Sequence, residues 1–378
     1  MTAPSDRSRA WAATMPGHPR PDGITLAHDG APPAVGAARR VNREIREEWQ
    51  ESVLAPGATR AQGAGRRARP EEPDPDRTCF ERDRDRVLHS AAFRRLAGKT
   101  QVFVVPADHQ RTRLTHALEV AQVATSVARA TGLNVALTEA IALGHDCGHG
   151  PGGHASEEAF DVFLPEGYDH AVWGAVALAP LNLCAETLDG ICNHSWSRPA
   201  PSTPEGALVG WADRCAYTAH DLEDAIDAGI VRGDAVPEAV RSVVGDRRSD
   251  QLETFIQALI GCITEHGIVG MSADTAAALA GLRAFNYEQI YSRPESVAQG
   301  RAVVAVLRAL VEYYADRPHA LEDVGVADAR PGSAEAIRAA VQYVAGMTDR
   351  YAFQSALAVL DWDPAKLPRG IDMPVRRG

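Results

Sequence analysis

The sequence predicts an all-α fold, and three observations carry that reading. From Phe80 onward, apolar residues recur at helical spacing in run after run, separated by short Gly, Pro or Asn breaks. No alternating strand pattern of any length competes, apart from the short QVFVV at 101–105. No internal repeat of solenoid type is present.

Taken in order, residues 1–36 are rich in Pro, Gly and Ala and lack a clear period, so they are expected to form a disordered tail. ARRVNREIREEWQESVL (38–54) has helical spacing. The stretch 55–77 is a polar, Pro/Gly-rich loop of unusual length, a class usually functional or disordered. Helical runs then follow at 80–97, 114–131, 134–147, 204–229, 251–266, 272–287, 296–316 and 333–360. A single helical domain over 37–361 is expected, with a core at about 110–230, a C-terminal helical part at about 250–361, and an irregular tail at 362–378.

Composition bounds the function. The 378 residues are 45% hydrophobic and 24% charged, enough to bury a large core. A net charge of −11 argues against broad wrapping of nucleic acid, so nucleic acid is an unlikely main substrate. There is no run of about 18 apolar residues to span a membrane, and the N-terminus has no apolar stretch of the secretory kind. The six cysteines (79, 147, 184, 192, 215 and 262) form no CxxC pair, which suits reduced, mostly buried thiols and a cytoplasmic location. RDRDR (82–86) alternates in sign and reads as a salt-bridged helix surface rather than a nucleic-acid patch. Tyr343, Met347 and Tyr351 share a helical spacing and read as core.

The chemistry-bearing residues are dispersed. His116, His145, Asp146 and Asp213 are two imidazoles and two carboxylates, a set able to hold a divalent ion with positions left open for water and phosphate. Helical geometry aligns His116 with Val120, Val123 and Val127, and His145 with Leu137 and Ile141, so both rings lie on apolar faces. A lone histidine there is more often a hydrogen-bonded core residue; two, with Asp146 directly following, shift the balance. Asp213, Tyr217 and Asp221 fall at i, i+4 and i+8 and form one stripe. In GHDCGHGPGGHASEEAFD (144–161), Gly148-x-Gly150-x-x-Gly153 formally matches a dinucleotide fingerprint, but no strand precedes it. The glycines instead allow a tight turn after Asp146 and re-entry into a helix near Ala155. That turn returns His149, His154 and Glu157 toward the candidate ion, where a His and a Glu can position and deprotonate water or protonate a leaving oxygen.

The ordered motifs TRLTHALEVAQVA, ALGHDCGHGPGGHASEE and ADRCAYTAHDLEDAI resemble the HD-domain superfamily, and more narrowly the bacterial deoxyguanosine triphosphate triphosphohydrolase family. RTCFERDRDRVLHSAAFRRLAGKTQVF (77–103), LNLCAETLDGI (181–191) and YVAGMTDRYA (343–352) extend the similarity over roughly residues 45–355. The resemblance implies an all-α HD-domain fold and hydrolysis of a deoxynucleoside triphosphate to a deoxynucleoside and inorganic triphosphate. It also implies one divalent ion per subunit (Mn, Mg, Co, Ni, Fe or Zn), held by His116, His145, Asp146 and Asp213. His154 and Glu157 correspond to the family's catalytic pair, with His149 and His170 in support near the phosphates. Gln101, Tyr217 and Asp221 correspond to sugar contacts, and Arg113 and Arg293 to phosphate contacts. A homo-oligomer is implied, with an allosteric nucleotide as a further partner. Gly152 stands where the family has Phe, and Tyr168-Asp169-His170-Ala171 where it has a Glu-His-Asn segment. The first departure is expected to loosen the loop bearing His154. Another HD phosphohydrolase, a 5′-nucleotidase or alarmone hydrolase, and a non-catalytic nucleotide sensor are the alternative readings.

Overall fold

The helix-rich pattern becomes sixteen α-helices in a computed structural model, which describes residues 5–107, 109–324 and 327–370. Two compact units partition at Val41/Asn42. In the first, α1 (Asp6–Ala13) starts where Ser5 caps the Ser8 amide, and β1 (His18–Pro19) pairs antiparallel with β2 (Thr25–Leu26). The expected irregular tail therefore carries local structure, although α1 buries none of its residues.

The second unit holds the other helices. α2 (Arg43–Val53) follows the Asn42 cap. α3 (Cys79–Leu88) begins with a capping box in which the Thr78 side chain accepts from the Glu81 amide and the Glu81 carboxylate accepts from the Thr78 amide. The single run expected at 80–97 breaks at Ser90, whose hydroxyl caps the five-residue α4 (Ala91–Arg95). QVFVV is not a strand but a series of bends. α5 (Arg113–Thr131) ends on Gly132 at φ +70°, and α6 (Val135–Gly144) starts from the Asn134 cap. α7 (His154–Asp161), α8 (His170–Leu178) and α9 (Ala185–Asn193) are short; periodicity alone did not single out the last two. α10 (Pro204–Asp227) opens with Pro at its first position behind the Thr203 cap. α11 (Glu238–Val244), α12 (Arg248–His266), α13 (Ala273–Asn286) and α14 (Pro294–Ala315) follow, with a π turn at Tyr287–Tyr291 between the last two. The run expected at 333–360 is two helices, α15 (Ala334–Ala345) and α16 (Asp349–Leu360), because Thr348 caps a new start. Within the expected C-terminal tail, 362–370 holds only a short turn at Pro364–Lys366; residues 371–378 lie outside the described residues.

Three apolar clusters place these helices. One joins α3, α5, α6 and α9 through residues such as Phe80, Val120, Ile141 and Ile191. A second joins α7 and α8 to α14, α15 and α16 through Phe160, Trp173, Leu307 and Val344. The third packs α10 against α11, α12 and α13 around Phe255 and Leu282. Met347 is buried and Tyr343 half-buried, but Tyr351 is 51% exposed, contrary to its core reading. The long 55–77 loop is fastened by polar ties rather than apolar burial. The buried Glu205 carboxylate accepts from Thr59 N (3.0 Å), Thr59 Oγ1 (2.6 Å) and Asn134 N (2.9 Å). Arg67 pairs with Asp83 at 2.7 Å with both side chains all but sealed from solvent. Within RDRDR the salt bridging is as expected, yet Asp83 is interior: its other oxygen accepts from Cys184 N and Thr187 Oγ1.

Candidate metal centre and reaction cavity

α5 presents Arg113 and His116 from its first turn, α6 ends so that His145 and Asp146 fall in the turn beyond it, and α10 brings Asp213 from across the core. The expected four donors converge. His116 Nε2 lies 3.0 Å from Asp213 Oδ1 and 3.8 Å from Asp146 Oδ2. His145 Nε2 lies 3.5 Å from Asp146 Oδ2 and 3.6 Å from Asp213 Oδ1. His145 Nδ1 donates to Ala142 O at 2.6 Å, which turns Nε2 toward the carboxylates as the atom that binds either a proton or a cation, and that atom is buried with no hydrogen-bond partner. A ring oriented by a backbone carbonyl with an unsatisfied nitrogen among carboxylates is what a metal-ligating histidine presents. The donor set therefore fits a divalent ion.

Electrostatics agrees. Burial opposes the charged His145 ring, but Asp146 and Asp213 outweigh it and push it up to about 9. Burial also opposes ionisation of Asp146, yet the Arg113 guanidinium and the charged His145 ring hold it well below the usual carboxylate range. Two ionised carboxylates crowded in a dry site call for compensating positive charge.

The glycine-rich loop 147–153 makes the predicted tight turn. Gly152 and Gly153 have φ of +73° and +63°. A Cβ on Gly148 would collide with the backbone of His170 and Gly174, and one on Gly153 would stand 2.9 Å from Arg113 Nη2. These glycines serve close backbone approach, not a dinucleotide. Gly152 is tethered from outside the loop: its N–H donates to Asp349 Oδ1 at 2.8 Å, and a Cβ there would press into Val303 of α14. The turn delivers His149 so that its Nε2 is 3.3 Å from Asp146 Oδ1 and its ring stacks on His170 at 3.9 Å. On α7, His154 Nδ1 and Glu157 Oε1 are 2.6 Å apart, while Glu157 Oε2 is 3.2 Å from His170 Nδ1. Burial works against the Glu157 carboxylate, but His154 and His170 hold it strongly ionised. Burial, reinforced by Arg113 and His170, holds His149 neutral.

A cavity of about 520 Å³ opens beside these groups, lined by His116, Asp146, His154, Asp213 and Tyr217 among others. Gln101 lines it with a buried Oε1 that has no partner. Arg113 Nη1 pairs with Asp146 Oδ2 at 2.6 Å, while its Nε and Nη2 are buried and unpartnered. Asp221 accepts from Tyr291 Oη at 2.5 Å through Oδ2, and its Oδ1 is unpartnered. Burial pushes the Asp221 carboxyl up to about 8. The stripe of Asp213, Tyr217 and Asp221 thus faces the cavity. Arg293 is not brought to the lining: it stands at the N-cap of α14 with Nε 3.5 Å from Glu295.

Several lining residues were not anticipated. His194 follows α9, donates through Nδ1 to Ile191 O at 2.8 Å, and places Nε2 3.3 Å from His170 Nε2. Arg214 stacks on Trp196, 3.4 Å from the ring centroid, and Arg283 donates to Tyr217 Oη at 2.7 Å. Neither arginine has a carboxylate within ion-pair distance among the described residues. Local signals existed, since Arg214 adjoins Asp213 and Tyr291 lies two residues before Arg293, but spacing along the chain does not reveal a shared cavity.

An HD domain is matched over residues 113–218 and a Phosphohydrolase-associated domain over 269–356. The chain is 41% identical over 318 residues to a deoxyguanosinetriphosphate triphosphohydrolase-like protein of Caldanaerobacter subterraneus subsp. tengcongensis, covering 82% of this chain and 93% of the relative. Proteins with the same description from Desulfatibacillum aliphaticivorans (37% identity; 82% of this chain, 95% of the relative) and Clostridium perfringens strain 13 (39%; 75% and 87%) are similar over most of their length. With the HD dyad, its partner carboxylate and the associated C-terminal helices all in place, the chain belongs to the deoxyguanosinetriphosphate triphosphohydrolase-like family of HD-domain proteins.

Proposed function

We propose that this chain hydrolyses a deoxynucleoside triphosphate at its α-phosphate, releasing a deoxynucleoside and inorganic triphosphate. The observation that carries the reading is one cavity lined by three of the four donors, His116, Asp146 and Asp213, and by His154 and His170, which Glu157 links from behind, with guanidiniums along its wall. His116, His145, Asp146 and Asp213 would hold a divalent ion, which when bound polarises a phosphate oxygen and acidifies water.

The chain's own residues supply the rest. Arg113 offers two unpartnered nitrogens to the polyphosphate, and Arg214 and Arg283 add positive charge with no ion-pair partner among the described residues. Glu157 accepts from His154 Nδ1, fixing the tautomer so that Nε2 is the working nitrogen. With a second proton on Nε2, His154 gives that proton to the 5′ oxygen as the water oxygen bonds to the α-phosphorus and the bond to the 5′ oxygen breaks; the proton shed by the water passes to solvent, which reprotonates Nε2 for the next turnover. Gln101 and Asp221 offer unpartnered oxygens to a sugar hydroxyl, and Tyr217 closes the pocket near the 2′ carbon, favouring a deoxy sugar.

The decisive experiment incubates purified protein with each of the four dNTPs, singly and mixed, with Mn, Mg, Co, Ni, Fe or Zn. The expected products are deoxynucleoside and inorganic triphosphate. Release of only orthophosphate or pyrophosphate points to another phosphohydrolase activity, and tight dNTP binding without turnover points to a sensor. Turnover restricted to mixtures identifies an activating nucleotide.

A further inference from the structure

Asp349 and Lys99 are buried charged residues, 4% and 3% exposed, and neither lines the reaction cavity. Asp349 is the first residue of α16, in the turn that follows α15. Its Oδ1 accepts from Gly152 N at 2.8 Å; its Oδ2 accepts from Thr100 N at 3.0 Å and Thr100 Oγ1 at 2.5 Å. Lys99 Nζ donates to Ala345 O at 2.9 Å, at the other end of the same turn, and also to His149 O. Among the described residues neither makes a direct ion pair; their hydrogen bonds go to these neutral groups, and the two opposite charges attract each other from a longer distance.

The two side chains thus tie the 345–349 turn to both ends of one stretch, His149 and Gly152. That stretch contains Gly148, Gly150, Gly152 and Gly153, which give it little stiffness of its own. It carries His149 and leads directly into His154. Thr100, held by the same carboxylate, precedes Gln101. Hydrogen bonds to an ionised acceptor are roughly twice as strong as neutral ones, and burial sharpens their geometric demand. Because a misplacement of about 1 Å in a reacting group can cost about a hundredfold in rate, such a fastening bears on chemistry as well as on folding.

We infer that Asp349 and Lys99 are positioning residues that clamp the His149–His154 loop and the Gln101 segment to the C-terminal helices. In its effect on turnover this rests on the reaction proposed above; in its effect on the loop it does not. The 269–356 region is on this account part of the reaction apparatus, since it supplies the anchor of a loop that the HD region leaves loose.

The test uses the full chain carrying Asp349→Ala, Asp349→Asn, Lys99→Met or Thr100→Val. Amide hydrogen exchange is read over residues 147–156, with bound metal, kcat and KM for whichever dNTP the wild type turns over. Asp349→Ala is expected to speed exchange in 147–156 by about tenfold or more while leaving α5 unchanged. Metal content should hold, kcat should fall about a hundredfold, and KM should move far less. Asp349→Asn keeps an acceptor for Gly152 and is expected to recover part of kcat. Unchanged exchange in 147–156, or exchange that rises equally throughout the chain, overturns the clamp. So does a full kcat with the loop loosened. If the wild type hydrolyses no dNTP, the reaction proposed above fails while the exchange result still decides the clamp. If Asp349→Ala does not fold, Thr100→Val removes one donor from the same carboxylate and is judged by the same outcomes.

Discussion

His145 and Glu157 illustrate how one atom's bond decides another atom's task. The Nδ1–H of His145 is spent on Ala142 O, so its Nε2 is left for a ligand; the Glu157 carboxylate fixes His154 in the same way. Replacement of Asp213 by Ala should therefore abolish bound metal and turnover together, as measured by elemental analysis and product release. Glu157→Gln should retain the metal and lower kcat by about 10² to 10⁴, the range for a general acid–base group; unaltered turnover would remove it from the mechanism. Asp221 gives a pH prediction. Burial raises its carboxyl from 3.8 to about 8, so between those values the folded chain keeps a proton that the unfolded chain has lost. Its contribution to stability falls as pH rises through that window and is constant above it. Urea denaturation across pH 5 to 9 should show a shallower decline for Asp221→Asn, by on the order of 1.4 kcal/mol per pH unit at most.

At the scale of elements, the caps and glycines set where helices stop, and the stops set the site. α6 ends at Gly144 with His145 as its C-cap, so His145 and Asp146 stand at the very end of the helix, where donors from α5 and α10 can reach them. Loop 147–153 turns back tightly because Gly148 lets it touch α8 backbone to backbone. Gly148→Ala should be destabilising by several kcal/mol, or prevent folding, because the clash is with main chain that cannot swing aside; a melting temperature near that of the wild type would contradict the contact. On α3, Asp83→Ala would strand the buried Arg67 guanidinium and is expected to cost about 3 to 5 kcal/mol by chemical denaturation. The expected tail at 1–36, the bends at QVFVV and the split of 333–360 share a cause. Short elements depend on caps and partners more than on period, and periodicity is the stronger signal only in long runs.

For the whole molecule, the HD region shares its apolar core with the C-terminal helices. Phe160, Tyr168 and Trp173 on its side bury against α14, α15 and α16. An isolated 113–218 fragment is expected to lack fixed packing, with dye binding and weak near-ultraviolet dichroism as the measurements. Metal binding should stabilise the intact chain, since the donors meet in this arrangement only when it is folded. A free-ion concentration a hundredfold above Kd adds ~2.7 kcal/mol, so chelation should lower the melting temperature. No helix among the described residues is long and apolar enough to cross a membrane.

Helical period, the order of the HD motifs and the donor chemistry of His116, His145, Asp146 and Asp213 were legible along the chain, because they depend on residue type and local spacing. The all-α class and the family follow from them. Tertiary structure alone decided which polar groups share a cavity. It added His194, Arg214, Arg283 and Tyr291, left Arg293 at the cap of α14, moved Asp83 inside, and joined Asp349 and Lys99 to a loop about 200 residues away in the case of Asp349. The physical reason is that periodicity reports which face of a helix turns inward, whereas a buried charge is placed by what packs opposite it, and the chain order does not contain that pairing.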